Sequence, residues 1–210
     1  MSAELIQFDR SQPDPAIVTR AAKAIREGQV VVIPTDALYV LVADPFNLYA
    51  VGRVFQAKGR ETQRSLPILV DSLVMAEDLA RNLTSRFYLL ARRFWPGPLT
   101  VIVPASAKLP LKVTGNTGRL AVRRAKAPIC DRIITALEMP IIATSANLSG
   151  RPTCRSAIEV FGSMDASVDL ILDGGQVDGP GATTVDITEP YWRLIREGGI
   201  PEAEIAALLK

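Results

Sequence analysis

The chain has 210 residues, 48% hydrophobic and 22% charged, which is enough apolar material for a folded core and excludes a disordered polyelectrolyte. Its net charge is only +2, too small by itself to mark a nucleic-acid binder. It contains no histidine, which excludes Ser-His-Asp and Cys-His catalysis, imidazole metal sites and imidazole proton transfer.

What remains for chemistry is lysine, arginine, carboxylates, hydroxyls, amides or a bound ion. That set suits charge stabilisation on phosphates better than proton shuttling. Two cysteines, Cys130 and Cys154, are too few for a four-ligand zinc site, and their spacing matches no metal motif. A reduced, cytoplasmic protein is expected. The N-terminus shows no basic region followed by an apolar run, and no apolar stretch is long enough to span a bilayer, so neither a signal peptide nor membrane insertion is expected.

In chain order, Asp14-Pro15 reads as an N-cap followed by proline in the first helical turn, with Ile17, Val18, Ala21, Ala22 and Ile25 at helical spacing and Gly28 as the stop. Val30–Ile33 is a β-branched run expected to be buried on both faces, ending at Pro34. A helix is expected from Asn47 to about Lys58, a strand over 66–70, and helices over 73–80 and 85–94. The segment Trp95-Pro96-Gly97-Pro98 is a turn before a strand over 99–103. Strands are expected over 120–123 and 140–144, with a helix over 128–137 between them. Ser156 and Glu159 have the spacing of a capping box. Late strands at 170–172, 185–187 and 193–196 precede a terminal helix at 202–209. Helices and strands interleave, so the class is α/β. The late strands lack intervening helices, so they are expected as antiparallel additions to a mixed sheet.

Five segments could carry chemistry. Pro34-Thr35-Asp36 follows a buried strand, and its plainest role is turn chemistry. Lys58-Gly59-Arg60, with Arg64 close behind, is either a phosphate clamp or a basic helix end complementing the helix dipole. Arg123 closes an apolar strand, where it could grip a carboxylate or phosphate, whereas Arg124 and Lys126 fit surface ion pairs better. The hydroxyls and amides of Ala143-Thr144-Ser145-Ala146-Asn147-Leu148-Ser149-Gly150 could line a nucleotide site, or the segment is an ordinary polar loop. A nucleophilic serine is disfavoured without a histidine to activate it. The glycines of Asp173-Gly174-Gly175, Gly181 and Gly198 either bring backbone close to a ligand or only connect short strands. No Walker A or dinucleotide fingerprint is present.

Taken in order, these segments resemble the YrdC-like family of threonylcarbamoyl-AMP synthases. The resemblance runs from about Val30 to Gly198 through Pro34-Thr35-Asp36 with Tyr39, Lys58-Gly59-Arg60, Phe94–Thr100, Ala121-Val122-Arg123, Ser145–Gly150, Leu170–Gly175 and Arg196. It implies a twisted mixed sheet, flanked by helices, around a deep basic concavity. The expected organisation is one domain over 1–210, its motif-bearing core about 14–198, in the short form without an added C-terminal domain.

By the same resemblance, Lys58, Arg60, Ser145 and Asn147 surround ATP, with Lys58 and Arg60 catalytic. Thr153 and Arg196 also contact ATP, and Thr35, Arg123 and Thr183 hold L-threonine. The implied reaction joins L-threonine, bicarbonate and ATP, with Mg2+ on the nucleotide, to give threonylcarbamoyl-AMP for tRNA modification. A tRNA threonylcarbamoyl transferase would act downstream, and contact with tRNA or double-stranded RNA is a further implied partner. The resemblance implies no protein-bound metal site. Two alternatives stand beside this: a catalytically impaired RNA- or nucleotide-binding module, and a carbamoyl-adenylate-forming relative. The chain departs from the family pattern at Val40 and Val42, where glycines are usual, and at Ala37, Glu61, Ser65 and Arg124-Ala125. The two valines imply either plain β backbone or a narrowed pocket.

Overall fold

The structure is a computed structural model that describes residues 2–59 and 64–210. The first half of the chain forms β1 (Glu4–Gln7), α1 (Pro15–Arg26), β2 (Val31–Pro34), β3 (Tyr39–Ala43), α2 (Leu48–Lys58), β4 (Ile68–Leu69), α3 (Leu73–Leu79), α4 (Ser85–Phe94) and β5 (Leu99–Pro104). It continues with α5 (Leu111–Thr114), β6 (Arg119–Arg123), α6 (Pro128–Leu137), β7 (Ile141–Ser145), α7 (Ala157–Met164), β8 (Leu170–Asp173), β9 (Thr183–Asp186), β10 (Arg193–Arg196) and α8 (Glu202–Leu208).

Local chemistry sets the helix ends. Asp14 caps α1 by accepting from Ala16 N, and Pro15 fills the first turn. Asn47 caps α2 through Tyr49 N and Ala50 N. Ser156 caps α7 through Glu159 N, but Glu159 accepts from Arg155 N rather than Ser156 N, so the capping box is only half formed.

The ten strands form one sheet in the order β1-β8-β2-β3-β7-β4-β6-β5-β9-β10. Pairs β1–β8, β2–β8, β4–β6 and β5–β9 are parallel, and the others are antiparallel. The expectation of antiparallel late strands therefore holds only for β10 on β9. β8 pairs with β1 and β2, and β9 with β5, strands much earlier in the sequence, so neither is the returning arm of a hairpin and parallel pairing is open to both.

Strand alternation sorts the core into two layers. One face, carrying Val30, Val32, Leu41, Ile68, Val101, Leu120, Val122 and Val185, is packed against α2, α3, α4, α7 and α8. On the other face α1 and α6 cover Val31, Ile33, Val42, Ile141 and Leu170, and this second layer does not extend over β5, β6 and β9. Cys130 of α6 is buried in it, and desolvation pushes its thiol up to about 12.

Val40 and Val42 lie in β3, paired with β2 on one side and β7 on the other. The backbone is plain β at both positions, and Val40 in addition lines the hollow over the sheet, where its side chain takes space a glycine would leave. A valine at 42 stiffens a central strand and buries its whole side chain. Replacing Val42 by glycine forfeits that burial and adds backbone entropy, so Val42→Gly should lower unfolding free energy by roughly 2–4 kcal/mol in urea titration.

At the far edge, Asp186 holds β9 to its neighbours. It accepts from Arg119 Nη1 at 3.0 Å, Arg193 Nη2 at 3.2 Å and Thr188 Oγ1 at 2.6 Å. Burial raises its pKa, but the Thr188 hydrogen bonds and the two arginines outweigh it and hold the carboxyl below the usual range. A depressed carboxyl stabilises the fold above its unfolded pKa and loses that contribution as pH falls through the folded value. Asp186→Asn should therefore cost about 2 kcal/mol at pH 7, discounted for two half-exposed arginines. The gap from wild type should close on acidification below about pH 4, followed by urea unfolding.

Candidate active site

Where α1 and α6 stop covering the sheet, a cavity of about 430 Å3 opens over β7, β4, β6, β5 and β9. Its floor is small: Ala143 of β7, Ala121 of β6, Thr100 of β5 and Thr184 of β9. Its wall carries Arg64, Arg123 and Arg196, and among the described residues no carboxylate lines it. A hollow with this lining favours anionic ligands.

One end is built by Lys58, Ser145 and Asn147. Lys58 is buried at the C-terminus of α2, where its charge complements the helix dipole. Gly59 follows in the left-handed region at φ 55°, and Ser149 N donates to Lys58 O at 2.9 Å, which satisfies an orphan helix carbonyl. Lys58 Nζ donates to Ser145 O at 2.6 Å, Ser145 Oγ at 3.2 Å and Asn147 Oδ1 at 2.8 Å. Ser145 Oγ donates to Asn147 Oδ1 at 2.6 Å. Asn147 Nδ2 donates to Leu148 O and Arg151 O, which fixes the amide orientation. Ser145 is the member of this trio on the cavity wall. Arg60 and Glu61 lie outside the described residues.

The other end is built by Arg123, which is buried at 7% exposure. Its Nε donates to Gly97 O at 2.9 Å and its Nη2 pairs with Asp36. Gly97 must be glycine, because a Cβ there would lie 2.4 Å from Phe94 O. The Trp95–Pro98 turn is thus architecture with a purpose, presenting one carbonyl to Arg123.

Other expected residues are placed less directly. Thr35 lines the cavity, but its hydroxyl is occupied by the turn, donating to Leu38 O and accepting from Ala37 N and Leu38 N. The plain turn reading of that segment therefore describes the hydroxyl. Thr183 is fully buried, donating to Ile200 O at 2.7 Å and accepting from Gly198 N and Ile200 N. Its side chain points away from the cavity, and strand alternation gives that wall to Thr184. Thr153 is half-buried and does not line the cavity. Arg196 lines it and donates to Ala182 O from Nε and Nη2.

Of the loop glycines, Gly198 packs on backbone, a Cβ there lying 2.6 Å from Gly181 O, whereas Gly175 faces open space. A Cβ on Gly179 would meet Asp36 O and Ala37 O at 2.9 Å, so this loop buttresses the 35–37 turn. Arg124 pairs with Asp131 at 3.5 Å, but the pair is half-buried rather than solvated, and burial raises the Asp131 carboxyl pKa. Ala121, Ala143, Thr100 and Asp36 lie in the segments the sequence marks out, but sequence reasoning gave them no role of their own. Two-residue periodicity from Arg123 and Ser145 was the available signal for the alanines.

Fold and site together define an α/β protein whose mixed sheet presents a basic hollow to an anionic ligand. Residues 23–198 match the Sua5_yciO_yrdC family model, described as "Telomere recombination", and the chain belongs to that family. It is 40% identical over 190 residues to the threonylcarbamoyl-AMP synthase of Pyrococcus abyssi, covering 90% of this chain and 56% of that protein. It is 34% identical over 201 residues to the Bacillus subtilis threonylcarbamoyl-AMP synthase, covering 95% and 58%. The crystal structure of P. abyssi Sua5 complexed with L-threonine superposes with a TM-score of 0.92 at 36% identity, covering all of this chain and 61% of that one. The chain thus spans less than two thirds of the length of these three proteins.

Ala121 gives a test of the cavity itself. Ala121→Leu projects into open space, so its melting temperature should stay within a few degrees of wild type. Any thermal upshift produced by saturating ATP or L-threonine should be lost in this variant, as read by differential scanning fluorimetry.

Proposed function

We propose that this chain forms threonylcarbamoyl-AMP from L-threonine, bicarbonate and ATP. The observation that carries the reading is the pairing of two unlike ends over one hollow: Ser145 held by Lys58 and Asn147 at one, Arg123 at the other. The printed names of the P. abyssi and B. subtilis relatives, and the threonine complex of P. abyssi Sua5, support the same reading.

In this reading the threonine amine takes up CO2 or bicarbonate to give a carbamate. A carbamate oxygen attacks the α-phosphorus of ATP, a new P–O bond forms, and the bond to pyrophosphate breaks. Negative charge gathers on the phosphoryl oxygens, and Lys58, with Arg60 beside it in sequence, offsets that charge. Arg123 forks onto the amino-acid carboxylate. Arg196, on the cavity wall, is a further ATP contact and Thr35 lines the threonine end, whereas Thr153 and Thr183 do not line the hollow and take no part in this reading. Bringing three reactants into one geometry supplies much of the acceleration. The small-residue floor gives two ligands room to lie side by side.

Mg2+ enters here as part of the substrate, bound to ATP. Among the described residues no group of three or more histidine, cysteine, aspartate or glutamate side chains is placed to hold a metal ion. The product anhydride would pass to a tRNA threonylcarbamoyl transferase, and the assignment as a nucleotidyltransferase belongs to the same proposal. No helix among the described residues is long and apolar enough to cross a membrane.

The test mixes pure protein with ATP, Mg2+, bicarbonate and labelled threonine, and measures pyrophosphate and the adenylate. Wild type should release pyrophosphate only when threonine is present. Lys58→Ala should lower the rate by about 100- to 1,000-fold, the range seen when one charge-stabilising donor is removed. Threonine-independent or absent pyrophosphate from wild type would refute the synthase reading. Salt-dependent RNA binding without adenylate formation would identify the RNA-binding module instead.

A further inference from the structure

We infer that Asp36 is a positioning residue for the amino-acid end of the site, acting through Arg123 and not on the substrate. The inference rests on the synthase reading for the identity of the ligand, and on geometry for everything else. Asp36 pairs with Arg123 Nη2, and its Oδ1 also accepts from Lys126 N at 3.2 Å. Gly97 O takes the Nε–H. A guanidinium has five N–H donors, so two are spent on fixing the plane. Among the described residues the other three have no hydrogen-bond partner, and Arg123 lines the cavity. A fork with two prongs pinned behind it and the rest turned to the hollow is the arrangement a carboxylate needs for two-point binding.

Asp36 itself does not line that cavity. It faces the smaller cleft on the other side of the turn, beside Arg10, Ser11 and Lys126. The wall between the two spaces is the 34–36 turn. Its own stiffness comes from the Thr35 hydroxyl bonded to three backbone groups of residues 37 and 38, and from Gly179 packed against Asp36 O and Ala37 O. The Arg123 and Asp36 side chains are 8% and 16% exposed, so the pair is screened from water and its geometry is held. The same carboxylate cancels most of the guanidinium charge at rest. The amino-acid end therefore selects by the direction of its free N–H groups more than by bare attraction for anions.

Two measurements test this, one of them without any ligand. In side-chain 15N NMR of the whole chain, the Arg123 guanidinium of wild type should show slow rotation about Cζ–Nη2. Asp36→Ala should release it, and Asp36→Asn, which keeps an acceptor oxygen in place, should leave it largely restrained. By calorimetry, Asp36→Ala should bind L-threonine about tenfold or more weakly while ATP affinity stays within about twofold. Asp36→Asn should recover threonine binding to within about threefold of wild type. An unchanged guanidinium and unchanged threonine affinity in Asp36→Ala would overturn the inference. So would equal losses for ATP and threonine in a folded Asp36→Asn protein, since that is the mark of a collapsed turn. A wild type that binds no threonine would instead defeat the synthase reading, leaving the NMR comparison to decide what Asp36 does.

Discussion

The contact between Asp36 and Arg123 ties together two strand ends that the sheet order sets far apart. Asp36 follows β2 and Arg123 ends β6, four ladder positions apart. Four steps of about 4.8 Å would separate them by roughly 19 Å in a flat sheet. The loop after β2, the right-handed twist of the sheet and the reach of the Arg123 side chain span that gap. The ion pair, Gly97 O and the Lys126 amide hold the two ends together. The hollow exists because one helical layer covers its face completely while α1 and α6 cover only part of the other. Incomplete coverage leaves the hollow open.

Each end of the hollow is held by its own contacts. At the Lys58 end, the cation sits at a helix C-terminus and donates to a carbonyl, a hydroxyl and an amide. At the Arg123 end, a buried carboxylate does the holding. Such a buried pair is weak evidence for stability, since desolvation consumes much of the Coulomb gain. Its value here is direction. Polar groups tied to backbone on rigid strands stay where the fold puts them, which is what a site for two ligands requires.

Much of the fold was legible because local signals were strong. Asp14-Pro15, Asn47 and the 85–94 and 128–137 periodicities marked helices that the structure reproduces, and Val30–Ile33 does feed both core layers. Two strands were not read. Glu4–Gln7 is a short edge strand of mostly exposed residues with no clear alternation. Tyr39–Ala43 is buried throughout, so it too lacks alternation, and its valines were weighed as departures from a glycine pattern rather than as a strand in their own right. In the site, Lys58, Ser145, Asn147 and Arg123 were visible only through the ordered motifs, for each is ambiguous alone. The choice between Thr183 and Thr184 depended on which face of β9 meets the cavity. A one-residue error in parity reverses that, and no local signal fixed the parity.

The burial of Cys130 lends the protein a built-in gauge of its own breathing. Its thiol lies in the layer beneath α6, close enough to Asp36 and Arg123 to feel both charges, and desolvation keeps it protonated. An alkylating reagent attacks the thiolate, so the closed state is inert. In a background where Cys154 is serine, each modification event would record a moment when α6 had lifted from the sheet. Slower labelling with an occupied hollow would mean that the ligand-facing and helix-covered sides of the same strands share one opening motion.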